Sequence, residues 1–302
     1  MRETVTKTGM EVASTTTMKL APRRPLLVTV DVEDQGSAGE SPRFRDALQP
    51  LLTMLDQQET KATFFVVGEL ANSWADELRE LSAAGHEIGL HGHTHEFLSD
   101  LGAAKMAVQL SHGREVLTDL VGTAPVGFRA PYFGLTRKTP WAPDVIKEAG
   151  FMYSSSVLPV WNPQAGYRGA PKRPFKWSNG LIEFPSPVLA IGSLGLPVLG
   201  GAYLRLVPSM VVNLAERVTR ADGRWVYAHP YDFDIDEPFS RRPGQSLVVT
   251  KLLFARRALM LERVRRLSGP DVRTLAALAG DTEFTDKLRS FTPVGSGKSD
   301  PR

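Results

Sequence analysis

An α/β fold with parallel strands and helices packed outside them is what this sequence predicts, on three observations. Short apolar, β-branched runs alternate with segments whose apolar residues recur at helical spacing. The polar residues able to do chemistry fall where those runs end, which is where parallel α/β sheets carry their sites. The 302 residues, 42% of them hydrophobic, supply enough chain for one large core or two smaller ones.

The elements follow in order. "PLLVTVDV" (25–32) reads as a buried strand, and "RFRDALQPLLTMLDQQ" as a helix with Phe44, Leu48, Leu51, Leu52 and Leu55 on one face. "KATFFVV" is the next strand, "ANSWADELRELSAAG" an amphipathic helix closed by Gly85, and "HEIGLH" a third strand. Met106, Leu110, Leu117 and Val121 mark another helix; "PVGFRAP", "APDVIKEAG" and "FMYSSSV" then read as strand, helix and strand. From 156 to 210 the regularity breaks into Pro- and Gly-rich sequence, expected to form irregular loops walling a substrate site. A helix near 208–220 and the strand "RWVYAH" resume the pattern, and 248–268 is expected to be one basic amphipathic helix closing a domain of residues 25–268. Residues 1–24 are polar and Thr-rich, a disordered lead-in in which Met10 and Met18 are alternative starts. Residues 269–302 read as an extension with a disordered end.

Composition narrows the function classes. With no cysteine, a disulfide framework, a thiolate metal site and a Cys nucleophile are excluded, so any metal must sit on His and carboxylate. A net charge of +3 without an aromatic-interleaved basic stripe argues against nucleic acid as a partner and leaves weak affinity for anionic surfaces. No run of about 18 apolar residues or signal-peptide pattern is present, so the expected location is cytoplasmic, with peripheral contact to the inner face of an anionic membrane as an additional expectation. Nothing in the sequence sets the oligomeric state.

The densest chemistry is "GHEIGLHGHTHEFL" (85–98), which holds four of the six histidines, His86, His91, His93 and His95. His91 and His95, four apart, can converge on one ion if the strand runs into a helical turn. Asp31 and Glu33, two apart on an extended strand, share a face and offer a carboxylate ligand and a base. His86 before an apolar strand and His112 in a helix read as structural, whereas His93 is left open between a supporting, a substrate-touching and a solvated role.

"TVDVED", "HGHTH", "FRAPYF" and "YAHP" together resemble, in order and spacing, the motifs of the NodB-type polysaccharide deacetylases, carbohydrate esterase family 4, over about residues 25–235. The form "DVED" is similar to the branch associated with exopolysaccharide export, with "IEFPSPVL", "GGAYLRLVP" and "YAHPYDFD" also alike. The resemblance implies a distorted, incomplete (β/α) barrel with parallel strands and outer helices. It implies one divalent metal, Zn²⁺ first, with Co²⁺, Mn²⁺ and Ni²⁺ as alternatives, held by His91, His95 and either Glu33 or Asp34, because Val32 stands where the family's ligand aspartate falls. Asp31 corresponds to the general base, Arg129 to the residue orienting it, His229 to the general acid, and Pro131 and Tyr132 to the groove wall, with the Tyr132 N–H an oxyanion donor. Gly92 replaces the usual Ser or Thr. The family's fourth motif carries an aspartate where this chain has "YSSSVLP", so Asp232 or Asp234 is expected to serve His229 instead.

The activity implied is hydrolysis of an N-acetyl group on an amino sugar in a polysaccharide, oligosaccharide or lipid-linked glycan. Three alternatives accompany it: a deformylase or other amide hydrolase acting on a lipid-linked amino sugar or a cyclic amide, a silent carbohydrate-binding module, and a structural protein that binds metal for stability alone.

Overall fold

The computed structural model describes residues 25–33, 43–162, 165–191, 194–218, 223–242, 244–270 and 272–292. The expected disorder of 1–24 and of the last ten residues, and the alternative ligand Asp34, lie outside them. The strands are β1 (Leu27–Val32), β2 (Ala62–Val66), β3 (Glu87–Leu90), β4 (Gly127–Phe128), β5 (Tyr153–Ser154), β6 (Phe175–Trp177), β7 (Ile182–Glu183), β8 (Leu189–Ile191), β9 (Leu194–Leu196), β10 (Trp225–Ala228) and β11 (Ser290–Phe291). Nine of them form one sheet in the order β10-β1-β2-β3-β4-β5-β7-β6-β11, parallel throughout except where β6 meets β7. The sheet does not close, so β10 and β11 are its edges, and β8 and β9 pair separately as a hairpin.

The helices are α1 (Phe44–Gln57), α2 (Ala75–Ala83), α3 (Leu98–Val121), α4 (Ala142–Glu148), α5 (Gly201–Leu206), α6 (Ser209–Val218), α7 (Leu247–Phe254), α8 (Ala258–Ser268), α9 (Leu275–Ala279) and α10 (Thr282–Thr285). Alternation along β1 sets the two faces of the sheet. Val28, Val30 and Val32 face the main core, with Leu51 and Leu55 of α1 and Val264 of α8. Leu27 belongs instead to a second core with Phe65, Tyr153, Trp225 and Leu275 of α9. Thr29 and Asp31 have the parity of Leu27, so the chemistry of β1 lies on the face opposite its valines.

The structure departs from the expected elements in four places. "ANSWADELRELSAAG" is not one helix: a 3₁₀ segment, Gly68–Trp74, precedes α2, and Gly85 at φ +83 ends the turn. The stretch 156–210 is less irregular than its Pro and Gly content implies, because β6 and β7 extend the sheet and α5 follows the hairpin. Residues 272–291 are an integral part of the second core rather than an appendage, with Leu275 fully buried and β11 pairing β6. The single helix expected over 248–268 breaks into α7 and α8 at Arg256, whose φ is +55. At that break the buried Arg205 guanidinium donates to the carbonyls of Leu252 and Ala255 at the end of α7.

His86 does the structural work expected of it. Its Nδ1 accepts the Ala62 N–H of β2 at 3.1 Å, and its ring stands edge-on to Phe64. Burial, helped by the Lys61 charge, lowers its pKa from 6.5 to about 4. The unfolded chain therefore binds this proton more readily than the folded one. Its contribution to stability is complete above about pH 6.5 and is lost as pH falls towards 4, by up to about 3 kcal/mol. In urea melts, His86→Gln, which retains an acceptor, should reduce the loss of stability between pH 6.5 and 4 relative to the parent.

Candidate active site

Strand register brings the chemistry to one end of the sheet. Val32, Val66, Leu90, Phe128, Ser154 and Glu183 form a single row across β1, β2, β3, β4, β5 and β7. Glu33, His91, Arg129 and Ser155 come one residue later on their strands. His229 follows Ala228, which lies opposite Val30, so it emerges beside Asp31.

Glu33, His91 and His95 each offer a ligand atom, all within 4.8 Å of one another. Glu33 Oε2 is 2.5 Å from His95 Nε2 and 3.7 Å from His91 Nε2. His91 Nδ1 lies 3.0 Å from the Arg129 carbonyl, an oxygen that can only accept, so the proton sits on Nδ1 and the Nε2 lone pair faces Glu33. His95 Nε2 is buried without a well-aligned hydrogen-bond partner. Burial opposes the Glu33 charge, but the close imidazoles of His91 and His95 and the nearby His229 hold its carboxyl well below the usual range. Two imidazole lone pairs and an ionised carboxylate form a donor set that fits one divalent cation with open positions.

The loop carrying these histidines explains Gly92. Its φ is +73, and a Cβ there would meet the Pro131 ring at 3.1 Å, so a Ser or Thr would be strained by conformation and contact together. Backbone bonds from Gly68 and Glu69 to the Gly92 and His93 carbonyls fix the turn. His93 points away from the three ligands, its ring edge-on to His112 at 4.4 Å and its Nδ1 against Gly68. Tyr132, at φ +58, stacks on Phe97 and stands edge-on to His95.

Asp31 is held by Arg129 at 2.6 Å, an ion pair whose cation is fully buried. The same Arg129 nitrogen donates to the Thr29 hydroxyl, and the rest of the guanidinium donates to the Ser155 carbonyl and hydroxyl. Phe65 and Trp225 each lie 4.2 Å from the guanidinium carbon, supplying cation–π contact on a site without water access. The serine run after β5 therefore seats Arg129 through Ser155, and Ser156 Oγ accepts the Ala130 N–H that leads into Pro131. Glu183, fully buried, accepts the Ser156 and Val157 N–H groups and steadies that run.

His229 Nε2 is 3.6 Å from Glu33 Oε1, on the far side of the carboxylate from the histidine pair. Asp232 is its partner: Oδ2 lies 3.1 Å from His229 Nδ1 and accepts the His229 N–H at 2.9 Å. Asp234, the other candidate, is engaged instead by Arg43 at 2.7 and 2.8 Å. Arg205, which the sequence reading did not single out, completes the chain with Nε 2.8 Å from Asp232 Oδ1, both side chains fully buried. A lone cation inside the apolar run 188–206 was the available signal, because such a charge must meet a buried carboxylate. Burial works against charge on His229, yet its hydrogen bond to Asp232 and the charges of Glu33, Asp232 and Asp31 raise its pKa to about 9.

Comparison with known proteins divides the chain where the site joins. The profile of the family described as polysaccharide deacetylase matches residues 21–154, and that of a domain of unknown function (DUF3473) matches 155–274. A peptidoglycan deacetylase of Helicobacter pylori is 29% identical over 108 residues, 36% of this chain and 36% of that protein. A chitin deacetylase of Colletotrichum lindemuthianum is 38% identical over 90 residues, 27% of this chain and 35% of its own length. The matches thus span about a third of those curated relatives. Among solved structures, a candidate polysaccharide deacetylase from Mycobacterium smegmatis is 20% identical with a TM-score of 0.48, covering 84% of this chain and 96% of that one. Residues 21–154 are thus similar to the polysaccharide deacetylase family, and they are followed directly by a segment that matches a second family to which no function is assigned.

Proposed function

We propose that the protein is a metal-dependent hydrolase that removes the N-acetyl group from an amino sugar in a polysaccharide, oligosaccharide or lipid-linked glycan. The observation that carries this reading is the placement of two proton-handling groups about one ligand set. Asp31 is clamped by Arg129 and His229 by Asp232, with Glu33, His91 and His95 between them. The names of the relatives, which act on peptidoglycan and chitin, support the substrate class. Zn²⁺ is the proposed ion, with Co²⁺, Mn²⁺ and Ni²⁺ compatible with the same donors. When bound, it would polarise the acyl carbonyl and acidify a water.

This chain's residues perform the rest. Asp31, held by Arg129 through Oδ1, takes a proton from the attacking water with its other oxygen. The water oxygen bonds to the acyl carbon, and the Tyr132 N–H is proposed to donate to the oxyanion. His229, charged through Asp232, delivers a proton from Nε2 to the amine as the C–N bond breaks, giving acetate and a free amino sugar. Pro131 and Tyr132 form the adjoining wall. The "DVED" motif supports extending the proposal to exopolysaccharide biosynthesis, and the proposed location is cytoplasmic.

Three outcomes test this. Acetate release from N-acetylated sugars, measured with and without chelator, should fall by about 10²–10⁴-fold in kcat in Asp31→Asn, with metal content unchanged. His95→Ala should weaken divalent-ion affinity by more than about tenfold, read from the visible spectrum of the Co²⁺ form and from loss of metal-dependent melting shifts. Asp232→Asn should slow N-acetyl hydrolysis about 10- to 100-fold but spare an activated aryl acetate, whose leaving group needs no proton. Equal loss on both substrates would remove His229 from the acid role.

A further inference from the structure

Helix α7 is built inside out. Of its eight residues, LVVTKLLF, the one classed as buried is Thr250. Its hydroxyl lies 3.4 Å from the Arg242 N–H, while Leu247, Val248, Val249 and Leu252 are 47, 68, 45 and 44% exposed. The preceding segment continues the surface: Ile235 is 62% and Phe239 55% exposed, and the Phe239 ring packs 5.0 Å from Phe254 of α7. Apolar side chains turned outward over a buried hydroxyl reverse the usual preference, and a contiguous patch of this kind marks an interaction surface.

The charges around the patch identify its partner. Arg241 before α7, Lys251 within it and Arg256 after it are all exposed, whereas Asp236 is the one exposed carboxylate among the described residues of 235–256. Glu237 is neutralised by Arg242 and Arg257 at 2.6 and 2.7 Å. Cations distributed along an apolar helix complement a surface with fixed negative charge above and hydrocarbon below. At about 12 Å, α7 is too short to cross a bilayer and long enough to lie in its interface.

We infer that the segment Ile235–Arg256 docks on an anionic phospholipid bilayer, with α7 lying in the headgroup boundary. The patch starts three residues after Asp232, a span of at most about 10 Å, so the docked face adjoins the His229 side of the site. A glycan whose carrier stays in the bilayer could then reach the site without leaving the membrane. The docking does not depend on the chain being a deacetylase, because it is read by partitioning rather than turnover.

The test is co-sedimentation of the full chain with phosphatidylcholine vesicles, with and without phosphatidylglycerol. Binding should require the anionic lipid and weaken with added salt. Val248→Asp and Leu252→Asp should each reduce partitioning at least about tenfold, and Lys251→Glu at least about fivefold. Val108→Asp, at an exposed apolar position on α3, should change nothing. Circular dichroism melts establish that the variants remain folded. Equal binding to neutral vesicles, or no binding to either, overturns the inference. So does a patch-dependent dimer in lipid-free sedimentation, which would make a second copy the occupant.

Discussion

The site depends on one buried cation. Arg129 holds Asp31 through its guanidinium and orients His91 through its own carbonyl, so one residue fixes both the proposed base and the tautomer of a candidate ligand. Removing a fully buried cation from a pair typically costs 3–5 kcal/mol, because the abandoned charge has no water to meet. The aromatic faces of Phe65 and Trp225, the Thr29 hydroxyl and the serines after β5 all exist around that charge. Their packing follows from the need to keep a guanidinium satisfied in a dry interior.

Much of this was legible in the sequence, and the reason is periodicity. The alternation in "LVTVDV" gives both the buried strand and the face that carries Asp31, and the strand–helix order gives the parallel sheet. The convergence of His91 and His95 could be read from spacing and motif together, while the carboxylate that joins them stayed open between Glu33 and Asp34. What could not be read are contacts that cross long sequence distances. Arg205 meets Asp232 across 27 positions, and nothing local in either segment names the other. The break at Arg256 was hidden for a similar reason: the intrinsic pattern favours one helix, and the contact of Arg205 with the carbonyls at the end of α7 comes from some 50 positions away. Short strands such as β6 and β7 escaped notice because two or three residues are too few to show a period.

The two matched families meet at the chemistry. Residues 21–154 bring Asp31, the three candidate ligands, Arg129 and Tyr132; residues 155–274 bring Ser155, Glu183, Arg205, His229 and Asp232. The second segment thus supports Arg129 from one side and provides the imidazole and its charge partners on the other. Asp232, three positions beyond His229 and at the end of a 3₁₀ turn, supplies the carboxylate that meets the His229 ring.

The alternation in β1 has a consequence for how this chain can vary. Its valines make the main core and its polar residues make the site, so core and chemistry are written in the same two-residue frame. A slip of one residue between β1 and its neighbours would carry Asp31 into hydrocarbon and set a valine before Arg129, breaking two kinds of order with a single event. Residues can be exchanged within the frame, but the frame itself cannot drift. Length changes are therefore confined to the connections outside the strand, and the spacing from Thr29 to Glu33 is a geometric constant of the fold.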